Sequence, residues 1–121
     1  MLTNEEKLAL LAKETTDRRW PPLRPADAAT LIVLDREGPR PRVLMGKRHP
    51  GLKFMPNVFV FPGGKAESSD AAVPTSSDLR PVVIDKLIAK TIRGNAARAR
   101  RLALAAIRET FEETGLVIEI V

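Results

Sequence analysis

Three glutamates stand close together in the most informative stretch of the sequence, residues 108–116. Glu109, Glu112 and Glu113 are spaced i, i+3 and i+4. Because each residue of an α-helix advances about 100° around the axis, this spacing places the three carboxylates within an arc of roughly 100° on one face. Like charges at these separations repel one another, at a cost of a few tenths of a kcal/mol per pair. The face therefore needs a compensating positive charge.

The position of these glutamates within the helix adds to the conflict. Glu112 and Glu113 shortly precede Gly115, which predicts a helix C-terminus, where the helix dipole favours basic residues. The segment thus places like charges side by side and also puts acidic residues at a helix C-terminus. A segment that goes against two local preferences in this way is a candidate functional site. A divalent cation would offset the repulsion, and oxygen-only ligands suit Mg²⁺ or Mn²⁺. The alternative is a solvated acidic face on which Arg108 and Glu112 form an ordinary i,i+4 ion pair.

A second element is the segment Phe61-Pro62-Gly63-Gly64, which follows a predicted strand where we expect the chain to turn sharply. Glycine permits positive φ and a close approach of the backbone to a ligand, so a carbonyl or amide here could reach a metal ion or a phosphate. Pro-Gly-Gly is also common in ordinary turns, so this segment alone does not define a site.

Together the two elements resemble the signature box of the Nudix hydrolases, G-x5-E-x7-R-E-U-x-E-E-x-G-U, where U is a bulky apolar residue. Gly64 supplies the opening glycine, and Asp70 stands where the family has glutamate. The second half is matched at Arg108, Glu109, Glu112, Glu113, Gly115 and Leu116. Thr110 replaces the first U. The resemblance implies an α/β/α sandwich around a mixed β-sheet.

The spacing between the two halves departs from the pattern, because 37 residues separate Asp70 from Arg108. The additional residues correspond to a predicted loop and short helix at 71–94. Some Nudix subfamilies that resemble coenzyme A diphosphatases carry such an insertion. We expect this one to protrude from the loop before the catalytic helix, where it could cover the substrate.

The resemblance implies a role for each matched position. The expected metal ligands are the Gly63 carbonyl, Glu109, Glu112 and Glu113. The three glutamates and Arg108, which would orient one of them, form the expected catalytic set. Asp70 has a shorter side chain than the family's glutamate, and Glu67 is an alternative in the same loop.

The segment before the double glycine indicates a subclass. Its spacing follows L-L-T-x-R-[SA]-x3-R-x3-G-x3-F-P-G-G, a pattern of coenzyme A pyrophosphatases in this family, with identities at Leu44, Arg48 and the final FPGG. Lys53 keeps the positive charge of the second arginine. Arg48 and Lys53 suit phosphate contacts, and Gly64 completes the expected substrate-binding set. The alternative for both cations is a solvated loop position.

The implied reaction is hydrolysis of a diphosphate linkage in a nucleoside diphosphate derivative, with coenzyme A or acyl-coenzyme A favoured. Mg²⁺ or Mn²⁺ would activate water and neutralise the diphosphate. Two alternatives stay open. One is a Nudix-like scaffold without activity. The other is a basic nucleic-acid-binding module, based on the net charge of +5 and on the arginines of residues 93–101.

The elements that position these residues follow from periodicity and capping signals. Helices are predicted over about 4–16, after the capping-box sequence Thr3-Asn4-Glu5-Glu6, over 82–92, and over 96–114, between a cap at Asn95 and Gly115. Strands are predicted over 28–34, 42–47, 58–61 and 116–121, the first two as a hairpin. The chain divides into an N-terminal helix with a Pro-rich linker, 1–25, and a Nudix-like α/β domain, 26–121, carrying the insertion 71–94. Because the family's fold continues beyond its box, we expect a truncated chain or a homodimer completed by strand exchange.

Composition excludes several other classes of protein. The 121 residues are 44% hydrophobic and 29% charged, as in a globular domain. The absence of cysteine excludes thiolate zinc sites, and the single histidine, His49, excludes a two-histidine metal site. Neither a membrane-spanning run nor a signal peptide is predicted, so we expect a cytoplasmic protein.

Overall fold

The helices of the chain form where the capping signals predict them. The computed structural model describes residues 1–16 and 23–118. Within these ranges the α-helices are α1 (Asn4–Thr16), α2 (Pro81–Ile88) and α3 (Ala96–Thr114), and a 3₁₀ helix spans Ser68–Ala72. The predicted bounds of α1 and α3 are confirmed. Helix α2 ends earlier than the predicted 92, because Ala89 leaves the helical conformation, with ψ of 131°, and Lys90 takes a positive φ.

The caps of α3 fix the position of the acidic face. The Asn95 side chain accepts a hydrogen bond from the Arg98 backbone N–H at 2.8 Å. At the other end Gly115 is left-handed, with φ of 74°, and its N–H donates to the Phe111 carbonyl. The three glutamates therefore lie in the last two turns of the helix.

The strands are short and pair only antiparallel among the residues described. They are β1 (Ala28–Thr30), β2 (Leu34–Asp35), β3 (Arg42–Val43), β4 (Gly46–Lys47), β5 (Phe59–Val60) and β6 (Gly63–Lys65). The pairs are β1 with β6, β2 with β3, and β4 with β5. The predicted hairpin is confirmed where Leu34 lies opposite Val43. The predicted strand 28–34 is interrupted at 31–33. The chain is thus α/β in class.

Within the segment predicted to turn, the chain bends at Pro62, whereas the double glycine itself is strand. Gly63 and Gly64 belong to β6, where Gly64 pairs with Ala29 of β1, and neither has positive φ. The close approach expected of them is real. A Cβ on Gly63 would lie 2.4 Å from the Ala29 carbonyl oxygen and 2.8 Å from Thr30 Cα. Glycine is needed here because the neighbouring strand is too near for a side chain.

Helix α3 supplies the core of the described residues and packs against β1, β6, the 3₁₀ helix and α2. Its buried apolar side chains are Ala99, Leu104, Ala105 and Ala106. Thr110, which takes the place of an apolar residue in the box, is fully buried. Its hydroxyl donates to the Ala106 carbonyl at 2.7 Å. The polar residue is tolerated because its hydrogen bond is satisfied within the helix.

Two predicted segments lie partly outside the described residues. The Pro-rich linker overlaps residues 17–22, and the predicted strand 116–121 overlaps 119–121. Residues 116–118 are not strand, so that prediction is wrong for this part. The division into 1–25 and 26–121 remains a prediction. No helix within the described ranges has both the length and the apolar character to cross a membrane.

Candidate active site

Arg108 joins the two halves of the motif. Its Nε donates to Asp70 Oδ1 at 2.6 Å and one terminal nitrogen to Oδ2 at 3.2 Å. The same nitrogen donates to the Lys65 carbonyl at 3.1 Å. The other terminal nitrogen contacts the Glu109 carboxylate at 3.0 Å and that of Glu112 at 3.1 Å. One guanidinium therefore ties β6, the 3₁₀ helix and the acidic face of α3 together.

Asp70 is the buried partner in this network. Its side chain is fully buried and also accepts a hydrogen bond from the Glu67 backbone N–H at 2.7 Å. The Arg108 guanidinium and, to a lesser degree, the Glu67 N–H hold the pKa of Asp70 below its ordinary value against the opposing effect of burial. The same pairing raises the pKa of Arg108. Asp70, rather than Glu67, thus joins the two halves of the motif.

Glu109 lies directly against Gly64. A Cβ on that glycine would be 2.5 Å from the carboxyl carbon of Glu109 and 2.6 Å from both its oxygens. The Glu109 side chain is only 18% exposed. The opening glycine of the motif therefore leaves the space that this carboxylate occupies.

Glu113 contacts the other glycine. The Gly63 backbone N–H donates to Glu113 Oε2 at 3.3 Å, across fifty positions in sequence. Together with Glu109 against Gly64, this contact brings the acidic face of α3 onto β6. The structure thus brings together the predicted residues Gly63, Gly64, Arg108, Glu109, Glu112 and Glu113.

The donor atoms of this cluster suit a divalent cation, although the side chains are turned toward protein partners. All the side-chain donors are carboxylate oxygens, the ligands that Mg²⁺ and Mn²⁺ prefer. In the observed rotamers, no three acidic or histidine side chains of residues 1–16 and 23–118 converge closely enough to hold a metal. Arg108 supplies the positive charge that the sequence required, through Glu109 and Glu112. A cation would replace part of these contacts.

A cavity of about 290 Å³ opens beside Glu113. Its walls are Met45, Gly46, Lys47, Arg48, Leu52, Val60, Pro62, Glu113 and Thr114. Arg48 is held there because its Nε donates to the Phe54 carbonyl at 3.2 Å. Lys53 is not among the wall residues. Lys47 was missed by sequence reasoning because the upstream pattern leaves that position unspecified.

The arginines near the start of α3 are engaged with acidic side chains and backbone carbonyls. Arg98 donates to both carboxylate oxygens of Asp27, just before β1, at 2.6 and 3.0 Å, and Arg101 donates to one of them at 2.7 Å. Arg98 lowers the pKa of Asp27 more than Arg101 does. Arg100 pairs with Asp78 at 3.2 Å. These contacts fasten α3 to its neighbours and reduce the positive charge left for a polyanion.

The contact between Gly64 and Glu109 yields a stability prediction. Gly64→Ala should lower the free energy of unfolding by about 1–3 kcal/mol, because the methyl group must displace the carboxylate or the strand. Gly46→Ala is the matched control, since a Cβ there meets nothing within 4 Å. Urea unfolding of both variants measures the difference. Equal stability of the two variants would contradict the proposed crowding at Gly64.

One comparison with known proteins agrees with the family resemblance that the motif indicates. The chain is 41% identical over 90 residues to a Caenorhabditis elegans protein named "Putative nudix hydrolase 7". The match covers 74% of this chain and 22% of that protein, so the chain spans about a fifth of the length of this curated relative. No model of a known protein family and no solved structure matches the chain. The likeness supports the resemblance to Nudix hydrolases.

Proposed function

We propose that the chain carries the catalytic helix of a Nudix-type hydrolase, which cleaves a diphosphate linkage in a nucleoside diphosphate derivative. The observation that carries the proposal is the Arg108 network. Although 37 residues separate them in sequence, Asp70 and Arg108 form a bidentate pair at 2.6 and 3.2 Å. If the match to the second half of the motif were due to chance, there would be no reason for the first half to lie in contact with the second.

The residues of the motif would have separate roles in metal binding and in positioning. Glu109, Glu112, Glu113 and the Gly63 carbonyl would hold Mg²⁺ or Mn²⁺. Arg108 would keep Glu109 and Glu112 on one side of the helix. When bound, the metal ion would supply positive charge for the diphosphate and a water molecule of lowered pKa.

The cavity beside Glu113 supports a substrate that combines phosphate with an apolar group. Lys47 and Arg48 place two cations on its wall, and Met45, Leu52 and Val60 supply apolar surface. Cations suit the phosphates of a diphosphate. The apolar surface suits an aliphatic arm, so we favour coenzyme A or acyl-coenzyme A as the substrate. Lys53 would contact a more distant phosphate.

The test is a Mg²⁺-dependent hydrolysis screen with the purified chain. Coenzyme A, an acyl-coenzyme A, ADP-ribose and a dinucleoside diphosphate would be incubated with Mg²⁺ and with EDTA, and products separated by chromatography. We expect metal-dependent cleavage of at least one diphosphate, with coenzyme A preferred. Mg²⁺ binding without any turnover would favour the inactive-scaffold alternative instead.

Charge removal on the cavity wall tests the substrate contacts. Arg48→Ala should raise KM for coenzyme A about tenfold, which corresponds to about 1.4 kcal/mol, the size of one charge-assisted hydrogen bond. Lys53→Ala should raise KM by a smaller factor, about threefold, because Lys53 lies outside the cavity. Steady-state kinetics of both variants check this. An unaltered KM in Arg48→Ala would remove the cavity from the binding site.

The contacts of the arginines in α3 give less support to the alternative of a basic nucleic-acid-binding module. Arg98, Arg100 and Arg101 each contact a carboxylate, and their side chains are only about one third exposed, at 36%, 30% and 33%. Phosphate contacts would have to compete with these ion pairs. Tight, steeply salt-dependent RNA or DNA binding without hydrolysis would reverse this preference.

A further inference from the structure

Arg100 contacts the inserted segment at three places. Its Nε donates to Asp78 Oδ1 at 3.2 Å. One terminal nitrogen donates to the Ala71 carbonyl at 2.9 Å, and the other contacts the Thr75 hydroxyl at 3.4 Å. A single guanidinium thereby spans residues 71–78, which begin immediately after Asp70. Among the described side chains of α3, Arg100 alone forms hydrogen bonds with this segment.

The contact at Ala71 is next to the residue on which the Arg108 network depends. Asp70 and Ala71 both belong to the 3₁₀ helix, Ser68–Ala72. Arg100 and Arg108 both project from α3, separated by about 12 Å along the helix axis. The two arginines therefore hold one short turn from two points, Arg108 by the Asp70 side chain and Arg100 by the Ala71 carbonyl.

The length of the insertion explains why a second contact is needed. With 37 residues between Asp70 and Arg108, the covalent chain constrains their separation less than a short loop would, since the entropic cost of closure grows with loop length. Noncovalent contacts must then fix the turn. Arg100 contributes them from the same rigid helix that carries the glutamates.

We propose that Arg100 is a positioning residue for the active site, which acts through the 71–78 segment to hold Asp70 against Arg108 and thereby orients Glu109 and Glu112. The proposal deepens the proposed function and rests on it. It also gives the insertion a role. Residues 71–78, its first part, are held against α3 by Arg100 and thereby keep the two halves of the motif in contact.

The proposal is tested by a double-mutant cycle of Arg100→Ala and Asp70→Asn with coenzyme A as substrate. If Arg100 acts through Asp70, Arg100→Ala should lower kcat about fivefold and leave KM within about twofold. In the Asp70→Asn background the same change should have little further effect, because the coupled contact is already lost. Arg42→Ala is the matched control, since Arg42 pairs with Asp35 in the β2–β3 hairpin, and its kcat should not change.

Amide hydrogen exchange gives a second measurement that does not depend on turnover. Arg100→Ala should lower the protection of residues 67–78 about tenfold, with little change in α1. Protection unchanged in these residues, or a kcat loss that adds fully to that of Asp70→Asn, would overturn the proposal. A chain that hydrolyses no diphosphate would contradict the proposed function. The exchange measurement would still decide whether Arg100 holds residues 71–78 in place.

Discussion

Glu113→Gln should lower kcat for diphosphate hydrolysis about a thousandfold while the chain stays folded. The substitution removes one charge and almost no volume. The Gly63 N–H, which donates to Glu113 at 3.3 Å, can still donate to the amide oxygen of glutamine. As a proposed metal ligand, however, the side chain would lose its charge, and a thousandfold loss corresponds to about 4 kcal/mol of transition-state stabilisation, within reach of metal-ion catalysis.

Glu112→Gln should produce a loss of similar size. Its carboxylate is 55% exposed and its contact with Arg108 is an i,i+4 pair near the surface, so the pair contributes little to stability. A loss of activity with unchanged unfolding would therefore reflect chemistry rather than folding. Steady-state kinetics and thermal unfolding, measured on the same preparations at several Mg²⁺ concentrations, separate the two effects.

Glu37→Gln is the matched control, because it removes the same charge from an exposed turn far along the chain from α3. Its kcat should equal that of the unmodified chain. If Glu112→Gln and Glu113→Gln also keep full activity, the assignment of the acidic face as a metal site is refuted.

Signals within one element predicted α3 well. Asn95, Gly115 and the spacing of the three glutamates act over a few residues, so their structural consequence follows from the sequence directly. The same holds for the capping box of α1, in which Thr3 Oγ1 accepts from the Glu6 N–H at 3.2 Å. The candidate site follows from such signals as far as it lies on one helix.

Contacts between distant segments were harder to predict. The conformational freedom of glycine suggested positive φ at Gly63 and Gly64, yet both lie in a strand, and glycine is needed because β1 and Glu109 lie where side chains would be. The short-range pattern does not encode that neighbour. The role of Asp70 was also hard to predict, because it depends on Arg108, a partner 38 positions away in sequence. The only signal for it was its place in the motif, with five residues between it and Gly64.

Asp70→Ala should lower the free energy of unfolding by about 3–5 kcal/mol, the second large effect that we expect. Asp70 is fully buried, and Arg108 is 19% exposed. Removing the carboxylate leaves a largely buried guanidinium without its main partner, which is the costly way to break such a pair. Glu109 and Glu112 still contact Arg108 and limit the loss. Urea unfolding measures it.

Asp35→Ala is the control for this prediction. Asp35 also pairs with an arginine, Arg42, but the two side chains are 39% and 77% exposed. An exposed pair contributes about 1 kcal/mol or less. If Asp70→Ala costs no more than Asp35→Ala, the Arg108 network does not hold the fold together.

The pH dependence of stability should separate the charge of Asp70 from its shape. Because the pKa of Asp70 is lowered in the folded chain, the unfolded chain binds more protons as pH falls through the ordinary value of about 4. The ionised carboxylate therefore stabilises the fold above that pH, and its contribution is lost toward the lowered pKa. Asp70→Asn has no such titration. The difference in unfolding free energy between the two chains should shrink from pH 6 to pH 3, and a constant difference would mean that Asp70 acts by packing alone.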